Sequence, residues 1–277
     1  PGRENDYQRR PPNSLFAWEF QQQVSYLARH YHVVTGDEVQ GFLRGQAPLP
    51  PYSIFITFDD GYENNYTEAY PILMRNGVTA AFFLTTDLIG QLDSLLWFDQ
   101  LDAVLAHTEI TVLSHWLRTE KSVDNLQSEW QLRQWIKGQP RVARSRIIDE
   151  LEAVFGRDDY MIRQAPVSAM MTWSQVREMA DRGMTIGSHT ASHQILSSSP
   201  VPEVQKELVE SRRCIEAETG RPCRFFAYPN GKATDFRDSD KMILRSADYV
   251  CAFTQIPGFV DATSDHYALP RISDRKS

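Results

Sequence analysis

Ser53-Ile54-Phe55-Ile56-Thr57-Phe58-Asp59-Asp60-Gly61 is the stretch from which the fold can be read. A short run rich in apolar, β-branched and aromatic residues suits a buried strand, and Asp-Asp-Gly closes it with a polar turn. Residues 65–76 then have helical spacing, with Tyr66, Ala69, Tyr70 and Leu73 on the apolar side. Pro71 lacks an amide donor, so it predicts a kink or a delayed start there. Gly77 suits the C-terminal cap. Residues 78–84 are nearly all apolar and predict a second strand. Strand, helix and strand within about 35 residues form a βαβ unit, which implies a parallel sheet with covered faces.

The same grammar recurs on either side. Phe16 opens a helical pattern to His30, and His32-Val33-Val34 reads as a strand. Thr172 with Gln175 resembles a capping box ahead of a helix, and Met184-Thr185-Ile186-Gly187 is strand-like. Residues 202–218 carry Val204, Leu208 and Ile215 on one face, with acids early and Gly220 after the end. Residues 224–228, 249–254 and 267–272 predict three more strands. Residues 90–171 have a different texture, rich in Trp, Leu, Gln, Arg and Glu, with helical patterns at 97–105 and 145–155. This block is expected to be a helical insertion within one domain spanning residues 1–277, behind an irregular polar lead-in at 1–13.

Composition narrows the class. The 277 residues carry 29 basic and 36 acidic side chains, a net charge of −7, and 42% are hydrophobic, enough to bury a core. No apolar run approaches the roughly 20 residues of a membrane-spanning helix, so no membrane span is expected. The acidic balance weighs against a nucleic-acid partner, which selects clustered basic charge. Cys214, Cys223 and Cys251 are too few for a disulfide framework, and buried thiols are expected. That favours a cytoplasmic setting. Export or envelope association stays open, because the chain begins at Pro1 and not Met.

Three motifs share one position, directly after an apolar strand, where α/β proteins build their sites. The first is Thr57-Phe58-Asp59-Asp60-Gly61, whose adjacent carboxylates need a cation or a shared proton nearby. The second is His189-Thr190-Ala191-Ser192-His193, with two imidazoles spaced to meet one metal. The third, Phe226-Ala227-Tyr228-Pro229-Asn230-Gly231, turns with backbone N–H groups available at Asn230 and Gly231. Alone, the first and third are ordinary turns and the second is a solvated helix face. In order, and each at a strand end, they point to a site. Asp with two His is a ligand set for a catalytic divalent metal with an open position.

TFDDG followed by helix, strand and HTASH resembles the polysaccharide deacetylases of the NodB-homology type, carbohydrate esterase family four, over residues 16–272 apart from much of the insertion. The resemblance implies an α/β fold, a distorted (β/α)7 barrel of the polysaccharide deacetylase type. It also implies a hydrolase that removes acetyl groups from an N-acetylated glycan with a divalent metal, usually zinc. Carried over by position, Asp59 is the general base and Asp60, His189 and His193 are the metal ligands. The backbone N–H of Asn230 is the expected oxyanion donor. Thr172-Trp173-Ser174-Gln175 before the His motif and AYPNG as the third motif are similar to members acting on exopolysaccharides. Trp173 and Tyr228 are accordingly candidate substrate contacts. The alternatives are an amide hydrolase on a non-sugar substrate and an inactive glycan-binding domain.

Departures from the family pattern set further expectations. Ala227 stands where members often carry an arginine that orients the base, and Arg271, in Leu269-Pro270-Arg271-Ile272, is the candidate replacement; its other reading is a surface arginine at the barrel edge. The late Leu-x-His motif that supplies the acid is missing, which leaves His266 as the candidate. The segment before Phe16 lacks the apolar first strand that members often have, so an open barrel is expected. Trp97-Phe98-Asp99 reads either as a sugar-stacking wall or as core of the insertion. The basic stretch 141–146 is expected to be a solvated helix face.

Overall fold

The computed structural model describes residues 15–91, 94–124, 126–156 and 169–273. The lead-in expected at 1–13 lies outside them. The helix Ala17–His30 (α1) is followed by His32–Val33 (β1) and the helix Gly36–Leu43 (α2), which starts at a Thr35–Glu38 capping box. The run at 53–58 then serves two sheets. Ser53–Ile54 (β2) pairs in parallel with β1, while Thr57–Phe58 (β3) pairs in parallel with Ala81–Leu84 (β4).

Between β3 and β4 the expected helix forms in two registers. Residues Asn65–Ala69 make a π turn, closed by the Tyr70 N–H on the Asn65 carbonyl, and Tyr70–Asn76 (α3) continues as α-helix. Pro71 explains the change, since it has no N–H to donate and falls in the first turn of α3, where none is needed. Gly77 caps α3 at φ 65°, in the left-handed region.

Among the described residues, four insertion helices follow: Trp97–Leu105 (α4), Ile110–Lys121 (α5), Glu129–Lys137 (α6) and Arg141–Phe155 (α7). Leu101, Val104, Leu113, Leu117, Leu132 and Ile148 fill a separate apolar cluster among them. The chain returns through Trp173–Asp181 (α8), Thr185–Ser188 (β5), Val201–Thr219 (α9), Phe225–Ala227 (β6), Asp238–Ser246 (α10), Cys251–Pro257 (β7) and Leu269–Arg271 (β8). Six parallel strands run in the order β3-β4-β5-β6-β7-β8, each beside its sequence neighbour, and curl into a half-barrel.

Side-chain alternation along these strands separates two cores. Ala81, Phe83, Phe225, Ala227, Cys251, Phe253 and Leu269 point into the curl, which Val34, Val39 and Leu43 close at one end. Phe55 meets Phe225 and Phe253 at ring separations of 6.0 and 5.9 Å, so side chains from non-adjacent strands touch across the interior. Phe82, Leu84, Ile186, Phe226 and Tyr228 point outward against the helices. Burial on both faces is why these strands read as continuous apolar runs. All three cysteines are free thiols. No helix among the described residues is long and apolar enough to cross a membrane.

One expectation is corrected. Arg144 in the basic stretch is not solvated: it is 2% exposed, lies over Trp97 at 5.2 Å and donates to Gln194 at 3.3 Å. The inward face of α7 carries it, while Arg141 and Arg146 on the other faces are exposed. Trp97 is half-buried, with Arg144 over its ring at 5.2 Å and the insertion cluster packed against it, as the core reading of the two expects.

Candidate metal centre

The strands deliver their chemistry at their carboxyl ends. Asp59 and Asp60 leave β3, His189 leaves β5, and Arg271 ends β8. Gly61 makes the first turn possible: its φ is 95°, and a Cβ there would lie 2.8 Å from Ile89 Cδ1. Asp60, Thr190, His193 and Asn230 also have positive φ, at 77°, 68°, 55° and 59°. An L-residue in that region costs on the order of 1 kcal/mol, so the site stores backbone strain that the surrounding packing must hold.

Asp60, His189 and His193 converge. One ligand atom from each lies within 4.8 Å of the others, which makes them the metal-capable cluster among the described residues. Both imidazole Nε2 atoms face Asp60 Oδ1, at 3.4 Å for His189 and 3.2 Å for His193. His189 Nδ1 sits 2.7 Å from the Ala227 carbonyl, which assigns its proton to Nδ1 and leaves the Nε2 lone pair directed at the cluster. Burial opposes ionisation of Asp60, but the two imidazoles outweigh it and hold its carboxyl well below the usual carboxylate range. Burial lowers the His193 imidazole and also works against charge on His189, whose contact with Asp60 nevertheless raises it. An anionic oxygen and two buried imidazoles facing one point form a donor set that fits a divalent ion such as zinc.

The loop bearing the second imidazole is tied from outside. Glu207 on α9 accepts from the backbone N–H groups of Ala191 and Ser192, both at 2.9 Å, and from Ser192 Oγ at 2.7 Å. The Thr190 hydroxyl caps the Gln194 amide at 3.0 Å. No sequence motif marks Glu207, although its place on the long helix facing the loop follows from the fold.

Asp59 is held differently from its neighbour. Arg271 Nη1 and Nη2 donate to its two oxygens at 2.8 and 2.7 Å, and Arg271 Nη1 also reaches Thr57 Oγ1 at 3.2 Å. The guanidinium therefore bridges β8 and β3, the two edges of the curled sheet, so Arg271 is not a free surface side chain. Gln255 on β7 adds a bond to Asp59 Oδ2 at 3.1 Å, a partner with no sequence signal. Burial would raise the Asp59 carboxyl, yet the charge of Arg271, with His189, lowers it below its ordinary value.

The remaining sequence candidates separate. Asn230 lies in the turn after β6, and its amide donates to no other described group. His266 does not join the cluster. It precedes β8 and lines a cavity with Arg212, Arg224, Arg245 and Val250 at the amino ends of β6 and β7, the end of the sheet opposite the metal ligands. Tyr228 is corrected as a substrate contact: it is 1% exposed, stacks on Phe236 at 4.1 Å and donates to the Tyr267 carbonyl at 2.9 Å. Alternation on β6 turns it toward the helices. Trp173 is half-buried at the start of α8 against the outer core.

The polysaccharide deacetylase family model matches residues 46–249. A curated relative from Bacillus subtilis (strain 168), YxkH, which bears the name of a polysaccharide deacetylase, is 21% identical over 255 residues. That alignment covers 92% of this chain and 63% of the relative, so the chain spans less than two thirds of its length. Among solved structures, the Streptococcus pyogenes deacetylase PplD in complex with acetate aligns at TM-score 0.62 and 18% identity, over 96% of this chain and 84% of that one. A de-N-acetylase from Aggregatibacter actinomycetemcomitans aligns at TM-score 0.61 and 16% identity, over 95% and 86%. At these identities the structural likeness establishes the fold.

Proposed function

The chain belongs to the polysaccharide deacetylase family, and on that premise we propose that it is a divalent-metal-dependent hydrolase that removes N-acetyl groups from an N-acetylated polysaccharide or sugar. The observation that carries the proposal is the convergence of Asp60, His189 and His193 beside an Asp59 carboxylate held by Arg271. The solved relative PplD is described in complex with acetate, the product such a reaction releases.

Asp60, His189 and His193 would hold the ion, with zinc expected from the donor set. When bound, the ion supplies Lewis acidity that acidifies a water and polarises the amide carbonyl. The chain's own groups do the rest. Asp59, ionised at neutral pH because Arg271 faces it, takes a proton from the attacking water as general base. Arg271 and Gln255 fix both of its oxygens, so the carboxylate is oriented before substrate arrives. Arg271 thereby serves as the positioning residue that Ala227 cannot be. The free Asn230 amide is the proposed donor to the oxyanion that develops on the acetyl carbonyl.

The test is acetate release by the zinc-loaded protein from N-acetylglucosamine oligomers, set beside N-methylacetamide. Release from the oligomers alone, abolished by chelation and restored by zinc, is the expected result. Release from the simple amide at equal or greater rate would assign a non-sugar amide hydrolase. Tight zinc binding with no release from either would assign a glycan-binding domain.

A further inference from the structure

Resting on the deacetylase reading above, we propose that Asp99, delivered by the first helix of the insertion, is the proton donor to the departing amine. The insertion reaches the metal centre at the start of α4. Phe98 packs edge-on against the ligand His193 at 5.3 Å, and the adjacent Asp99 accepts a hydrogen bond from Tyr62 Oη at 2.8 Å on Oδ2. Tyr62 stands two residues after the ligand Asp60, so the carboxyl is anchored to the metal-binding turn itself. The Leu96 backbone N–H, at the start of α4, also supports the carboxyl.

The two carboxyls are held by different elements. Asp59 is held from β7 and β8 and lies against His189, whereas Asp99 comes from the insertion on the side of His193. Their environments push them apart, the arrangement that divides base from acid between two like groups. Arg271 lowers the Asp59 carboxyl. The Asp99 carboxyl is pushed up to about 7, by burial first and then by the carboxylates of Asp60 and Asp102, against the Tyr62 hydrogen bond and the Leu96 backbone. Burial is the largest cause and does not depend on the charge of Asp60, which a bound cation would offset. Two arginines of the insertion are engaged elsewhere: Arg133 of α6 pairs with Asp102, and Arg144 of α7 lies over Trp97 and bonds Gln194. Burial also favours the neutral form of His193.

The step balances. As the carbon–nitrogen bond breaks, its electron pair stays on nitrogen, which takes the Asp99 proton; an O–H bond breaks, an N–H bond forms and Asp99 becomes a carboxylate. Asp59 holds the proton taken from water, and both carboxyls return to their starting states by exchange with solvent. The sum is amide plus water giving amine plus acetic acid. This assignment supplies the acid that the chain's lack of a late Leu-x-His motif leaves missing, and it gives the insertion a chemical task.

The experiment compares wild type with Asp99→Asn, an isostere that can still accept from Tyr62, in the zinc-loaded full chain. Rates are measured on the N-acetylglucosamine pentamer and on 4-nitrophenyl acetate, whose phenolate leaves without a proton. The amide-to-ester rate ratio is expected to fall about 100-fold or more, the usual worth of a general acid. The basic limb of the amide pH profile should vanish, while zinc affinity measured by calorimetry stays as in wild type. An infrared carboxylic-acid band present in wild type at pH 6 and absent from the variant would report the proton directly. Equal losses on amide and ester, an unchanged amide rate, or a surviving basic limb would overturn the assignment. A zinc-loaded wild type that releases no acetate from the pentamer would instead overturn the deacetylase reading on which it rests.

Discussion

Arg271→Ala is the sharpest probe of how the base is prepared. The substitution removes two charge-assisted bonds to Asp59, at 2.8 and 2.7 Å, and the bonds to Thr57 Oγ1 and the Thr254 carbonyl that tie β8 to β3 and β7. The side chains of Arg271 and Asp59 are only 11% and 18% exposed, so water cannot fully replace the lost partner. Removing one member of a fully buried pair costs about 3–5 kcal/mol; with the residual exposure and the surviving Gln255 bond, about 2–3 kcal/mol is expected here. If about 2 kcal/mol of that bears on ionisation, the Asp59 carboxyl rises by about 1.5 pH units, at 1.36 kcal/mol per unit. The acidic limb of kcat/KM for acetate release should therefore move up by about that amount, with Arg271→Lys between the two. The sign for stability follows from linkage. A carboxyl lowered in the folded state contributes stability above its unfolded value near 4, and loses it as pH falls through the folded value. The deficit of Arg271→Ala in urea unfolding should thus be full at pH 7 and shrink toward pH 3. Coincident acidic limbs, or a deficit independent of pH, would refute the reasoning.

Other consequences follow from the same geometry. His189→Ala should weaken zinc binding by at least about 100-fold by calorimetry and abolish acetate release with it, since loss of even an outer-shell partner costs 10–100-fold. Glu207→Gln should weaken zinc binding about 10-fold through the loosened Ala191–Ser192 backbone, with a folded circular dichroism spectrum retained. Gly61→Ala should cost about 2–4 kcal/mol in urea unfolding, because the added methyl meets Ile89 and the φ of 95° is strained for alanine. Asp99→Asn should raise Tm at pH 8 and not at pH 4. Its carboxyl is raised to about 7 in the folded state, so its favourable contribution is complete below the unfolded value and is lost as pH rises through 7.

The parts legible from residues alone were those with local causes. The Thr172 capping box and the Gly77 and Gly220 caps depend on neighbours in the chain, and the structure has them where the pattern puts them. The convergence of Asp60, His189 and His193 follows once three strands are parallel neighbours in one sheet. What could not be read depends on closure and alternation. Residues 53–58 look like one strand because nothing local marks the change of partner after Ile54. Tyr228 sits in a motif, but its direction is set by which face of β6 turns inward. Arg144 and Arg146 differ only in which face of α7 meets the barrel. His266 is near a family position in the sequence alone, and the start of β8 carries it to the end of the sheet opposite the metal ligands. Asp99 and Gln255 enter the site through tertiary packing alone, and no spacing rule reaches them.

The central claim, that the chain is built around a divalent-metal site, is tested most directly by anomalous diffraction at the zinc edge from crystals grown with zinc. The account predicts one strong peak within bonding distance of Asp60, His189 Nε2 and His193 Nε2, lost in His189→Ala crystals grown the same way. Crystals of this chain showing no peak among these three residues, or a peak at other ligands alone, would contradict it.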